Sequence, residues 1–222
     1  RTQVTWKAVS AFILPQEEPV PEPLQPYADR FKLFYVTRYY PHKGIDILVE
    51  VMEKYAKELD GVLLVLTISP EQHPNAARLV PKIDSSPHKN VLNVGPLAQR
   101  ELGGYYQHCD ALLMPTRLES FSGTYLEAMH FGLPILTSDL DFAQEVCADA
   151  ALYFDPWSPT AIRDVILQIR SHPTLAAELR QRGRDRLRAM QKSWEDIAAQ
   201  VLAELEKLRP ELPTGSPPAH DP

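Results

Sequence analysis

Two carboxylates, Glu119 and Glu127, bracket the run Ser120-Phe121-Ser122-Gly123-Thr124-Tyr125-Leu126. An apolar, strand-like run over residues 111–114 leads in, and a helical pattern over 124–131 leads out and stops at Gly132. A strand, a loop and a helix N-terminus make an anion site, because unpaired N–H groups and the positive end of the helix dipole face the ligand. Carboxylates beside that site would repel a bare phosphate. They fit a ligand that also presents hydroxyls, as a sugar nucleotide does. A simpler reading exists for each residue. Thr124 and Glu127 have capping-box spacing, in which Glu127 reaches back to a backbone N–H. Glu119 alone fits a solvated loop position.

A second group of charges follows the first strand-like run, in Arg38-Tyr39-Tyr40-Pro41-His42-Lys43-Gly44. Arginine chelates phosphate with a planar fork, and lysine adds a mobile point charge. Together Arg38 and Lys43 could neutralise a diphosphate without a metal. The alternative is a solvated Lys43 and an Arg38 paired locally, with Asp46 in reach. Asp139-Leu140-Asp141 has metal-ligand spacing, yet Ser138-Asp139 reads more simply as a turn after a strand. His42 and His130 lie near the candidate site, and either fits a polar surface role.

The elements that must position these groups alternate. Strand patterns fall at 33–37, 62–68, 91–94, 111–114, 134–137 and 151–154. Helical patterns fall at 45–59, 75–83, 101–108, 124–131 and 142–146, and then at 159–171, 174–191 and 193–208. Short strands alternating with helices predict an α/β fold with a doubly wound parallel sheet and C-terminal helices. The run 62–68 is apolar on both faces, as a covered parallel strand requires. In such sheets ligands bind beyond the carboxyl ends of the strands, where both candidate loops lie.

The 222 residues divide into an arm or linker at 1–30, a folded domain at 31–208 and a disordered tail at 209–222. Pro15, Pro19, Pro21, Pro23 and Pro26, with Glu17, Glu18 and Glu22, predict that the arm packs poorly. A net charge of −6 and scattered basic residues argue against nucleic acid. Cys109 and Cys147 are far apart, without ligand spacing, which suits a reducing, cytoplasmic setting. No apolar run approaches the ~20 residues that span a bilayer. No Gly-x-Gly-x-x-Gly or Walker loop follows a strand, so dinucleotide and nucleoside-triphosphatase readings lack support.

Pro115-Thr116-Arg117-Leu118-Glu119-Ser120-Phe121, Leu126-Glu127-Ala128-Met129, Gly132-Leu133-Pro134-Ile135 and Ser138-Asp139 form a recognisable set. With Glu145-Val146, residues 150–156 and Ser193-Trp194-Glu195, they resemble the donor-binding half of retaining GT-B glycosyltransferases of family four, also called group 1. The resemblance covers about residues 31–208. It implies a Rossmann-like domain that is one half of a GT-B fold. It further implies that Arg38 and Lys43 hold the diphosphate of a UDP- or GDP-sugar and that Glu127 binds ribose hydroxyls. Glu119 would lie by the donor sugar, so Glu119, Arg38 and Lys43 are the expected catalytic residues. Main-chain groups of Phe121, Ser122, Gly123 and Thr124 would meet sugar and phosphate, and Leu97 would meet the base.

Two positions depart from that pattern. Ser122 and Thr37 stand where the family usually has glycine, so Ser122 would narrow the space near the sugar. No cofactor or metal is expected. The family's acceptor-binding N-terminal domain is missing here, and that half would carry any peripheral membrane association. The fragment alone is expected to bind donor without transferring sugar. A non-catalytic nucleotide-binding module would have lost some of Arg38, Lys43, Glu119 or Glu127, and all are present. The Glu pair disfavours a sugar-nucleotide epimerase, and no lysine suggests a phosphorylase's pyridoxal anchor.

Overall fold

The structure, a computed structural model, describes residues 17–190 and 194–208. Residues 17–190 form one compact unit. Its strands are β1 (Phe31–Tyr35), β2 (Val62–Leu66), β3 (Val91–Asn93), β4 (Ala111–Met114), β5 (Ile135–Ser138) and β6 (Ala151–Phe154). All pair in parallel, in the order β3-β2-β1-β4-β5-β6. The helices between them are α1 (Ile45–Lys54), α2 (Pro74–Ser85), α3 (Leu102–His108), α4 (Gly123–Phe131) and α5 (Asp141–Cys147). After β6 come α6 (Pro159–Ser171) and α7 (Pro173–Met190). The separate helix α8 (Trp194–Leu208) belongs to a second unit. The tail expected at 209–222 lies outside the described residues.

Strands β2 and β4 are apolar throughout because helices cover both faces. Every residue of β2 and β4 is buried. Burial of such β-branched and leucine side chains drives the sheet to form, at about 25 cal/mol per Å² removed from water. Helix α1 packs on α6, and α4 packs on α3 and α7. Leu33 sits between Leu64 of β2 and Ala111 of β4, so β1 is the centre of the sheet. The order reverses between β1 and β4, and their C-terminal ends diverge there into different loops.

Three local expectations change. Strand β1 ends at Tyr35 rather than at 37. Thr37 leaves the ladder and exchanges bonds with Thr67: its N–H donates to Thr67 Oγ1, and that hydroxyl donates to the Thr37 carbonyl, both at 2.9 Å. A side-chain bridge replaces backbone pairing and lets the crevice open. Helix α1 stops at Lys54, five residues early, and the apolar period persists because a turn still carries Leu59 fully into the core.

The third change concerns the proline-rich arm, which packs. Residues Glu22–Tyr27 form a 3-10 helix with Leu24 completely buried. The Glu18 N–H donates to Gln107 Oε1 (3.0 Å), and the Glu18 carbonyl meets His108 Nε2 at 2.8 Å. Gly104 of α3 makes room for this arm, since a Cβ there would lie 3.2 Å from the Pro21 ring. Proline rings supply apolar surface without demanding a hydrogen-bond ladder. Leu24→Ala is therefore expected to destabilise the domain by about 2–5 kcal/mol, read as a fall in urea midpoint. An unchanged midpoint would return residues 17–27 to the status of a linker.

Candidate functional site

The site begins with two loops that leave the sheet where the strand order reverses. One joins β1 to α1 and carries Arg38 and Lys43. The other joins β4 to α4 and carries Glu119. They are tied together by the Arg117 N–H, which donates to the His42 carbonyl at 2.8 Å. Gly44 closes the junction. Its φ is +67°, and a Cβ there would stand 2.6 Å from the Pro115 carbonyl oxygen. Only glycine fits both the left-handed backbone and that approach.

Each loop is also held from beneath. The buried Tyr35 hydroxyl donates to the Lys43 carbonyl (3.1 Å). Its burial, then the charge of Glu119, push the Tyr35 hydroxyl well above its ordinary pKa, so it stays a donor. From β5, Ser138 Oγ donates to the Thr116 carbonyl (2.6 Å) and Thr137 Oγ1 to the Met114 carbonyl (3.2 Å). Tyr125 of α4 meets Thr137 Oγ1 at 2.7 Å. The floor of the site is therefore a hydrogen-bonded network of buried hydroxyls, which fixes loop positions more tightly than packing alone.

Lys43 and Glu119 meet directly. Lys43 Nζ donates to Glu119 Oε1 across the two loops, with side chains only 17% and 12% exposed. The two residues expected to face a ligand thus satisfy each other. Arg38 does not pair with Asp46. That carboxylate accepts from the Tyr39 hydroxyl at 2.5 Å. Arg38 is exposed and makes no ion pair among the described residues. It lines a cleft of about 550 Å³ together with Thr37, Thr67, Ser69, Pro96 and Leu97. Arg38 and Leu97 therefore share one cleft, whereas Lys43, Glu119 and Glu127 are not on its wall.

Helix α4 starts at Gly123, with Ser122 as its N-cap and no side-chain capping bond. Gly123 and Thr124 are half-buried in the first turn, and Phe121 is half-buried just before it. Ser122 is itself buried, only 8% exposed. The capping box expected from Thr124 and Glu127 does not form. Glu127 Oε2 instead accepts a bond from the Tyr106 hydroxyl of α3 at 2.7 Å. Glu127 Oε1 lies 4.0 Å from where a Gly123 Cβ would stand, beside the opening of the helix. Burial raises the Glu127 carboxyl above its ordinary pKa, and the Tyr106 bond opposes part of that rise.

Tyr106 is the neighbour of Glu127 that the sequence hid. Adjacent tyrosines on a helix read as core residues, and nothing local links one of them to a carboxylate on another helix. The remaining candidates have local partners. Asp139 Oδ1 accepts from Gln144 Nε2 (2.5 Å), and Asp141 Oδ1 accepts from the Phe142 N–H (2.8 Å). His42 stacks on Tyr40 at 5.6 Å, and burial lowers the pKa of His130. Both cysteines are free and buried.

A raised carboxyl pKa has a definite sign for stability. The fold holds the Glu127 proton more tightly than the unfolded chain does. That contribution is present in acid and is lost as pH rises through the raised value. Glutamine cannot ionise and can still accept from Tyr106. Glu127→Gln should therefore melt no lower than the parent at neutral pH, and any advantage should shrink in mildly acid buffer. A clear drop at neutral pH would show instead that the ionised carboxylate stabilises the fold.

Known proteins resemble this chain in sequence or in fold. The O-antigen biosynthesis glycosyltransferase WclY of Escherichia coli is 30% identical over 129 residues, covering 56% of this chain and 33% of its own. Sucrose-phosphate synthase from Thermosynechococcus elongatus superposes with a TM-score of 0.72 at 24% identity, over 90% of this chain and 51% of that one. HepE from Anabaena, solved in complex with UDP, gives 0.72 at 16% identity, over 89% of this chain and 55% of that one. The chain spans about a third of WclY and about half of each of these two structures. The parallel six-stranded sheet is thus the Rossmann-like half found in GT-B glycosyltransferases. Residues 16–186 match the family described as Glycosyl transferases group 1, and the chain belongs to that family.

Proposed function

We propose that this chain is the donor-binding domain of a glycosyltransferase that moves a hexose from a UDP- or GDP-sugar to an acceptor hydroxyl, with retention. One observation carries the reading. The loop with Arg38 and Lys43 is locked to the loop that opens α4, so the loops carrying both cations and the uncapped helix N-terminus leave the sheet at one switch point. In this reading Arg38 and Lys43 hold the diphosphate, and Glu127 binds ribose. The backbone of Phe121, Ser122, Gly123 and Thr124 meets sugar and phosphate oxygens, Leu97 meets the base, and Glu119 turns to the sugar once Lys43 has a phosphate. Fixed cations and N–H groups would stabilise the leaving diphosphate, with no divalent metal needed. The UDP bound to HepE supports uracil as the first base to try.

The acceptor-binding half would lie outside these residues. Peripheral membrane contact through that half, in the cytoplasm, belongs to the same reading. Among the described residues no helix is long and apolar enough to cross a membrane.

Calorimetry with UDP and GDP in EDTA tests the proposal. The chain should bind one of them, and Lys43→Ala should cost about 1.5–3 kcal/mol, the usual worth of a hydrogen bond to a charged group. Glu119→Gln should bind the bare diphosphate more tightly, because Lys43 is released and a negative charge is removed. Binding that appears only with magnesium or manganese would overturn metal independence. A second expectation concerns transfer. Positioning an acceptor against a donor is worth roughly 7–11 kcal/mol of barrier, so a radiolabelled-donor assay on these 222 residues should show hydrolysis at most. Transfer at the rate of a two-domain protein would refute the half-site view.

A further inference from the structure

The structure assigns Tyr106 as a positioning residue for nucleotide recognition: its hydroxyl holds Glu127 Oε2 so that Oε1 is presented to the ribose hydroxyls. This rests on the donor-binding reading above and adds a residue to it. Tyr106 is fully buried. Its ring stacks on Phe131 of α4 (5.2 Å, 7° between planes) and meets Phe34 of β1 edge-on (5.2 Å, 82°). Two aromatic contacts at right angles leave the ring no freedom to turn, so the hydroxyl points in one direction.

That direction is Glu127, at 2.7 Å. The bond runs between helices, from α3 to α4. A carboxylate at the end of two methylenes otherwise samples several rotamers. Tyr106 selects one of them and uses one acceptor position on Oε2. Oε1 has no protein hydrogen-bond partner among the described residues and lies by Gly123, at the helix opening. Burial, then the Glu127 charge, push the Tyr106 hydroxyl well above its ordinary pKa, so it keeps its proton and remains a donor. A neutral donor also stabilises the ionised carboxylate that burial opposes. The ionised form is the stronger acceptor for sugar hydroxyls.

A purely structural Tyr106 would matter for folding but not for which sugar the site reads. The two roles separate by comparing a ribonucleoside diphosphate with its 2′,3′-dideoxy analogue. The parent chain should favour the ribonucleotide by about tenfold or more, as expected for a hydrogen bond to a charged acceptor. Tyr106→Phe keeps the ring and its stacking and removes one oxygen. It should reduce that preference severalfold and leave the dideoxy affinity nearly unchanged. Glu127→Asp keeps the charge but falls a methylene short of Tyr106, and should lose the same preference. In a double-mutant cycle, Tyr106→Phe should have no further effect on the Glu127→Ala background, because it acts through that carboxylate.

The outcomes are distinct. If the parent chain fails to bind either diphosphate, the donor-binding reading falls and this inference falls with it; if it binds ribo and dideoxy forms equally, donor binding stands and the roles of Glu127 and Tyr106 are overturned. If the parent discriminates and Tyr106→Phe discriminates equally well, with at most a lower melting temperature, only the role of Tyr106 is overturned. Additive losses in the cycle would overturn it as well.

Discussion

Everything at the switch point depends on how closely two loops approach. Gly44 stands against the Pro115 carbonyl at a distance that excludes a Cβ, and the Arg117 N–H donates to the His42 carbonyl beside it. The first contact demands a left-handed residue without a side chain, and the second draws its carbonyl from the 3-10 turn Pro41–Lys43. Parallel strands β1 and β4 set the spacing, because their ladder fixes where each loop begins. Arg38, Lys43 and Glu119 have useful positions only because this junction holds. A loop that gained one side chain at residue 44 would move all three.

The charged groups of the site are arranged around competing demands. Lys43 and Glu119 neutralise each other, and their attraction offsets part of the desolvation cost of two largely buried charges. A ligand must offer at least as much to each partner. Glu127 is kept in a place that raises its carboxyl pKa, and a single tyrosine offsets part of that cost. Such local instability is common where a group serves binding rather than folding. Arg38 differs, since it waits in an open cleft without an ion-pair partner among the described residues. Its charge stays solvated and available, and burial asks nothing of it.

The proline-rich arm shows how a linker-like composition can still be structural. Its backbone forms few ladder bonds, so nothing in its own sequence announces a partner. The partner is α3, whose Gly104 opens a surface for the Pro21 ring and whose Gln107 and His108 meet the Glu18 backbone. The same short helix carries Tyr106 to Glu127. The arm, α3 and α4 are therefore mechanically continuous with the site.

Sequence alone determined the strand and helix alternation and the parallel sheet, and it pointed to the loops at the strand ends. Those follow from local periodicity and from glycine and proline at element ends, which are short-range properties. It also singled out Arg38, Lys43, Glu119 and Glu127, because charges beside strand-end loops are conspicuous. The pairing of those charges was not legible. Lys43 and Glu119 are far apart in the chain, as are Tyr106 and Glu127, and no spacing rule links them. The capping box at Thr124 and Glu127 had ideal local spacing and lost to Tyr106, a neighbour from another helix. Tertiary structure decided every such contest, because a buried polar group bonds to whichever partner the packed elements bring within reach.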